Sequence, residues 1–311
     1  MKILNKDQIL ALYNPAKAAA MIKQGFIAYS EGHVQLPPVQ HFLFKEAHGD
    51  CCVKSGYLEG DELFVVKVAS GFYRNAKQGL ANNQGLMMAF SALTGEPAAL
   101  LLDEGWLTGL RTALAGALAA AALAPQKIDA IGIVGTGMQA RLQLEALQTV
   151  TPCRTVWVWG HTQDALDQFE HEFAAKGYRI HGTLDAEPLA RACQLIVTCT
   201  PSTQPILQSE WIQPGTHINA VGADDEGKQE LATELVARAD LVTVDAVSQC
   251  AAYGEVSRAV KAGLLAKELL VELGQIFAGK HPGRQNQSQI TITDLTGLAI
   301  QDVQIAKSIL V

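Results

Sequence analysis

From residue 130 onward the chain alternates short apolar runs with longer stretches of helical spacing. The runs at 130–134, Thr155–Trp159, 179–181, 195–199, 217–221 and Leu241–Val244 read as strands, with helices between most of them, including 163–175 and 231–237. Short apolar strands joined by helical crossovers predict a parallel sheet covered on both faces. A ligand of such a sheet sits at the carboxyl ends of its strands. The loops expected there, 135–139, 160–162, 200–202 and 222–226, are polar or contain glycine.

The first third has a different pattern. An amphipathic helix is expected over 14–31, with Pro15 in its first turn, where a missing N–H is harmless. Strand-like runs follow closely at 39–44, 51–56, 63–69, 86–91 and 98–102, separated by turn residues such as Gly49-Asp50, Gly60-Asp61 and Thr94-Gly95-Glu96-Pro97. That spacing predicts a mixed or antiparallel sheet. An alanine-rich helical stretch around 107–124 joins the halves, and 297–310 has helical apolar spacing that suits packing back on the first domain. The expected architecture is α/β: a doubly wound parallel-sheet domain over 116–294, and a mixed α/β domain over 1–115 completed by 295–311.

Composition narrows the function classes. With 311 residues, 49% hydrophobic, the chain can build real cores. A net charge of −7 and no basic block argue against nucleic acid and anionic membrane as partners. The segment 113–124 is too short and too alanine-rich for a membrane span, and MKILNKDQIL lacks the apolar core of a signal peptide. Cys51, Cys52, Cys153, Cys193, Cys199 and Cys250 form no C-x-x-C pair, so no metal site is expected and a reducing cytoplasm fits.

Chemistry concentrates at 131–140, IGIVGTGMQA. An apolar strand runs into Gly135-Thr136-Gly137-Met138-Gln139-Ala140, followed by helix-like RLQLEALQ. This is the strand–turn–helix frame of a dinucleotide-binding, Rossmann-type loop. Gly135 permits the tight turn, Gly137 lets the backbone approach a pyrophosphate, and small Ala140 allows close helix–strand packing. The new helix then points its unpaired N–H groups at the phosphates. At the end of the next strand, where an NAD site places an acid on the ribose, stand Gly160, His161 and Thr162. No carboxylate repels a 2′-phosphate there, and His161 and Thr162 can donate to one. NADP(H) is therefore the preferred cofactor, with NAD(H) possible if Asp164 reaches back. Thr200 and Thr112 complete the expected cofactor contacts.

An ordered set of segments then carries a family resemblance: Lys67 in ELFVVKVASGF, Thr94-Gly95-Glu96-Pro97, Leu107-Thr108-Gly109-Leu110-Arg111-Thr112, the glycine turn, HINAVGADDEGKQEL, and ITITDLTGLAIQD. The chain resembles the ornithine cyclodeaminase/mu-crystallin family over nearly its whole length. The resemblance implies a Rossmann domain, an N-terminal substrate-binding and dimerisation domain, and a homodimer. It also implies that Lys67 and Arg111 hold a substrate carboxylate near the nicotinamide. A guanidinium grips such a group bidentately, and an ammonium adds a point charge. Asp224 matches the acid that follows the glycine-containing turn in some members, where it can exchange a proton with substrate nitrogen.

Relatives often carry an arginine after an early proline pair; here Pro37-Pro38 leads to Val39-Gln40, and the next strand reads Cys51-Cys52-Val53-Lys54. Gln40 and Lys54 are the expected substitutes in the carboxylate clamp. The glutamate of true cyclodeaminases has no counterpart beside Cys51 and Cys52. The arrangement VKSGY…VVKVASGFY is similar to the pyrroline- and piperideine-carboxylate reductases. The implied activity is NAD(P)H-dependent reduction of a cyclic ketimine to L-proline or L-pipecolate. The alternatives are ornithine cyclodeamination, alanine or imino-acid dehydrogenation, and a crystallin-like binding protein.

Overall fold

A computed structural model describes residues 1–72 and 74–311, so Tyr73, the last residue of the VVKVASGFY motif, lies outside the described residues. The chain divides into two compact units, one of Met1–Leu114 with Leu298–Val311 and the other of Ala115–Gly297.

The first unit is built on a seven-stranded sheet. In chain order its elements are β1 (Lys2–Asn5), α1 (Lys6–Leu12), α2 (Pro15–Ser30), β2 (Val34–Gln35), β3 (Gln40–Phe44), β4 (Gly49–Leu58), β5 (Leu63–Phe72), β6 (Asn83–Ser91), β7 (Pro97–Leu102) and the start of α3 (Trp106–Leu123). The strand order is β1-β7-β6-β5-β4-β2, with β3 also paired to β4. Only β1 and β7 run parallel. Asn14 caps α2 by accepting from Lys17 N–H, with Pro15 following it in the first turn. The C-terminal helix, Ala299–Leu310, packs on α2, β4 and β5, and nearly all of its residues are buried.

The second unit carries an eight-stranded, wholly parallel sheet. Its elements are β8 (Ile131–Val134), α4 (Met138–Ala146), β9 (Thr155–Trp159), α5 (Gln163–Ala174), β10 (Arg179–Thr183), α6 (Ala186–Ala192), β11 (Leu195–Thr198) and β12 (His217–Ala220). They continue with α7 (Thr233–Arg238), β13 (Leu241–Val244), α8 (Val247–Cys250), α9 (Glu255–Lys261), β14 (Val271–Glu272), α10 (Leu273–Phe277) and β15 (Thr291–Asp294). The order β10-β9-β8-β11-β12-β15-β13-β14 reverses direction between β8 and β11, the switch point where doubly wound sheets bind ligands. Every residue of β8, β11, β12 and β13 is buried, as strands covered on both faces must be.

Three expectations need correction. Residues 295–297 belong with the second unit, because Leu295 N–H donates to Ala220 O and Gly297 N–H to Asp245. The helix expected at 231–237 starts only at Thr233. The sheet also contains β15, which the apolar pattern does not reveal because it reads Thr-Ile-Thr-Asp. Its threonines are buried in hydrogen bonds: Thr291 with His217 (2.8 Å) and Thr293 with Thr243 (2.7 Å). Among the described residues one helix, Trp106–Leu123, is long and apolar enough to cross a membrane, and 61% of that stretch is buried inside the protein.

Candidate functional site

In the first unit the antiparallel register sets Lys54 of β4 directly opposite Lys67 of β5, so both side chains share one face of the sheet. Both are buried. Like charges in such a pair repel, and burial of ammonium groups adds a desolvation cost. The compensation comes from 235 residues further along the chain. Asp302 of the C-terminal helix places Oδ2 2.8 Å from Lys67 Nζ and Oδ1 3.0 Å from Arg111 Nε. Arg111 Nη1 also donates to Gln301 Oε1 at 2.7 Å. Burial alone would raise the Asp302 carboxyl, but Lys67, Arg111 and Lys54 outweigh it and hold the group below the usual carboxylate range. Lys67 is lowered to about 8: burial dominates, Arg111 and Lys54 add to it, and Asp302 opposes them.

Lys67, Lys54 and Arg111 are thus brought together. Asp302 and Gln301 join them, although sequence reasoning did not single them out. Gln40 is not part of the group. It pairs with Val53, so it lies on the opposite face of the sheet from Lys54, and it is exposed. Thr112, one residue beyond Arg111 in α3, donates its hydroxyl to Thr108 O at 2.8 Å. Asp103 accepts from Leu107 N–H at 2.7 Å and so caps the head of α3.

In the second unit Gly135 has φ +122°, a conformation that L side chains rarely adopt. A Cβ there would lie 3.2 Å from Thr200 Cγ2 and 3.3 Å from Cys199 O. Gly137 is the N-cap of α4, with no side-chain cap bond and open space where a Cβ would stand. The first amides of α4 are therefore left without a side-chain acceptor, as a pyrophosphate site requires. Gln139 Nε2 is buried with no hydrogen-bond partner, a donor suited to an added polar group. Ala140 is fully buried. Arg141 holds the turn from behind, donating to Thr136 O and pairing with Glu172 at 2.7 Å.

At the end of β9 a Cβ on Gly160 would press on Thr136 Cγ2 at 2.8 Å, so glycine is needed beside the turn. His161 is exposed and meets Trp159 edge-on at 4.7 Å. Thr162 caps α5 by accepting from Ala165 N–H. Together the open Gly137, the uncapped α4 and the orphaned Gln139 amide fit a dinucleotide.

Asp224 stands in the exposed loop after β12, paired with Lys228 at 2.6 Å. The second unit also holds a chain of buried acids that the sequence does not advertise. Glu230 accepts from Thr200 N–H (2.6 Å) and Gly222 N–H (2.9 Å). Glu255 in turn accepts from Glu230 N–H (2.6 Å) and Leu231 N–H (3.1 Å), and Asp294 from Val256 N–H (3.0 Å). Burial pushes Glu230 up to about 7 against the pull of its amide and hydroxyl donors. It pushes Glu255 up to about 8, with the Glu230 charge adding to it. The run DDEGKQEL reads as one solvated acidic loop, and only the small Gly222 hints that an acid folds back beneath it.

Comparison with known proteins agrees with this geometry. The sequence model of the ornithine cyclodeaminase/mu-crystallin family matches residues 2–310. An archaeal alanine dehydrogenase dimer with bound NAD is 34% identical, with TM-score 0.91, over 99% of this chain and 94% of that one. The iminosuccinate reductase of Paracoccus denitrificans, in complex with NAD+, is 30% identical with TM-score 0.90, covering 100% and 95% of the two chains. The Δ1-pyrroline-2-carboxylate reductase of Thermococcus litoralis, in complex with NADH and L-proline, is 28% identical with TM-score 0.92, covering 99% and 96%.

Proposed function

We propose that this chain, which belongs to the ornithine cyclodeaminase/mu-crystallin family, is a nicotinamide-dependent oxidoreductase that reduces a cyclic ketimine. The substrate is Δ1-pyrroline-2-carboxylate or its six-membered homologue, and the product is L-proline or L-pipecolate. The observation that carries this reading is the buried cluster of Lys67, Lys54 and Arg111 against Asp302. A passive apolar pocket has no use for three buried cations, whereas a small carboxylate does. The cluster holds that carboxylate and so orients the neighbouring C=N carbon. Bound nicotinamide supplies the hydride. The imine nitrogen must be protonated for its carbon to accept that hydride, and Asp224 supports or supplies this proton. Cys51 and Cys52, where cyclodeaminases of the family use a glutamate, weigh against ornithine as substrate.

The test is NADPH oxidation at 340 nm with Δ1-pyrroline-2-carboxylate, run beside an ammonia assay with L-ornithine. Turnover of the imine without ammonia release from ornithine is expected. Ammonia release without net cofactor change would replace the reductase by a cyclodeaminase.

NADP(H) is the preferred cofactor in this reading, because Gly160-His161-Thr162 offers donors and no acid at the end of β9. The NAD(H) complexes of the three relatives favour the second possibility, in which Asp164, exposed in the first turn of α5, serves the ribose. Measured Kd values should favour NADPH, and His161→Asp should move the preference toward NADH. Clear selectivity of the unaltered enzyme for NADH would decide for Asp164.

A homodimer built through the first unit belongs to the same proposal. Its support is the dimeric archaeal relative and β3, which exposes Phe42, Leu43 and Phe44.

A further inference from the structure

Two loops of the second unit meet around one buried carboxylate, and the dinucleotide turn abuts one of them. The loops after β11 and β12 carry Thr200 and Gly222, and their amides both donate to Glu230, one to each oxygen. The contact is tight enough to exclude a side chain: a Cβ on Gly222 would lie 2.3 Å from Thr200 O and 2.5 Å from Glu230 Oε2. Thr200 also presents its methyl group to Gly135, the first glycine of the dinucleotide turn. Glu230 is itself fixed from below, since Glu255 accepts from its amide and its carbonyl accepts from Ile206 and Leu207 N–H.

We propose that Glu230 is a positioning residue: ionised, it clasps the Thr200 and Gly222 amides and so holds the loops after β8, β11 and β12 in the shape that receives the dinucleotide. The inference rests on the nicotinamide-dependent reading above, but not on the choice of substrate. A carboxylate accepts two N–H donors at once. Its protonated form carries an O–H on one oxygen, which is then a much weaker acceptor for the amide it faces. The clasp therefore holds firmly only in the ionised state.

The titratable groups around it are Glu255 at the head of α9, whose ionised form Arg258 favours against burial and the Glu230 charge, and the Cys199 thiol just after β11, pushed up by burial and then by the Glu230 charge. The Thr198 and Thr200 hydroxyls favour the ionised form, while burial opposes it and brings the carboxyl to about 7. At pH 6 most molecules then carry Glu230 protonated, so a ligand that needs the firm clasp binds about tenfold more weakly than at pH 8.5.

NADH is the suitable probe, because it carries no 2′-phosphate to titrate in this range. For the unaltered enzyme its Kd should rise about tenfold from pH 8.5 to pH 6. In Glu230→Gln it should be at least tenfold weaker at pH 8.5 and level across the range, with unchanged circular dichroism. A level profile in the unaltered enzyme, or the same sloping profile in Glu230→Gln, overturns the proposal. Hydrogen exchange on the unaltered protein needs no variant. Protection of the Thr200 and Gly222 amides should fall as pH drops through 7, and constant protection there also overturns it. Absence of NADH and NADPH binding at every pH would instead remove the dinucleotide reading itself.

Discussion

Asp302→Asn is expected to cost about 3–5 kcal/mol of folding stability, measured by urea unfolding at pH 7, and to abolish most turnover. The magnitude is that of breaking a buried ion pair from one side, which leaves uncompensated charge in the interior. Here one carboxylate faces two cations, at 2.8 Å from Lys67 and 3.0 Å from Arg111, with Lys54 opposite Lys67 in the adjacent strand. The sign with pH follows from Lys67. Its folded value of about 8 lies below the ordinary lysine value, and Asp302 is the group that resists the lowering. Without Asp302 the ammonium sheds its proton at still lower pH. The variant therefore loses most below pH 8, where the unaltered protein keeps Lys67 charged. It loses less near pH 9, where that charge is already going. The double variant Asp302→Asn with Lys67→Met should recover much of the stability, since it removes a buried charge along with its partner. A loss under about 1 kcal/mol in the single variant, the range of exposed pairs, would mean that Asp302 does not neutralise the cluster.

That cluster also marks where sequence reasoning stops. A lysine inside VVKVA must either face solvent or find an acid, so the need for a partner is readable, but the partner is not. AIQDVQIAKSIL looks like a helix with one apolar stripe, on which Asp302 would be an ordinary solvent-facing acid. In the structure the helix is enclosed on nearly all sides, and Gln301, Asp302 and Gln304 are buried with the aliphatic residues. The glycine turn was legible because each of its residues answers a local steric demand: positive φ at Gly135, open approach at Gly137, close packing at Ala140. Glu230 and β15 were hidden for a shared reason. Their polar side chains are satisfied by partners distant in sequence, and hydropathy alone assigns such residues to the surface. Gln40 failed in the opposite way. It lies close in sequence to the clamp strand, but a period-two register gives neighbouring residues opposite faces.

The remaining large effect concerns the proton. Asp224→Asn should lower kcat in the reductive direction by about 10²–10⁴, the usual loss for one positioned acid or base. KM and NADPH binding should hold, because Asp224 stands in an exposed loop where amide for carboxylate disturbs no core. Lys67 is the competing donor, and the two groups leave different signatures. Lys67 is needed as a cation, and its value of about 8 sets the limit. At saturating cofactor the unaltered enzyme should show level kcat/KM below pH 8, and above it a fall approaching tenfold per unit as the ammonium is lost. If Lys67 only holds the substrate carboxylate, that fall lies in KM while kcat stays level. If Lys67 delivers the proton, the fall lies in kcat, and Asp224→Asn retains near-normal turnover. Lys67→Met separates the two cases again, since a lost anchor is partly overcome by raising substrate concentration and a lost proton donor is not. Unchanged kcat in Asp224→Asn across pH 6–9, together with loss of kcat in Lys67→Met at saturating substrate, would move the proton transfer from Asp224 to Lys67.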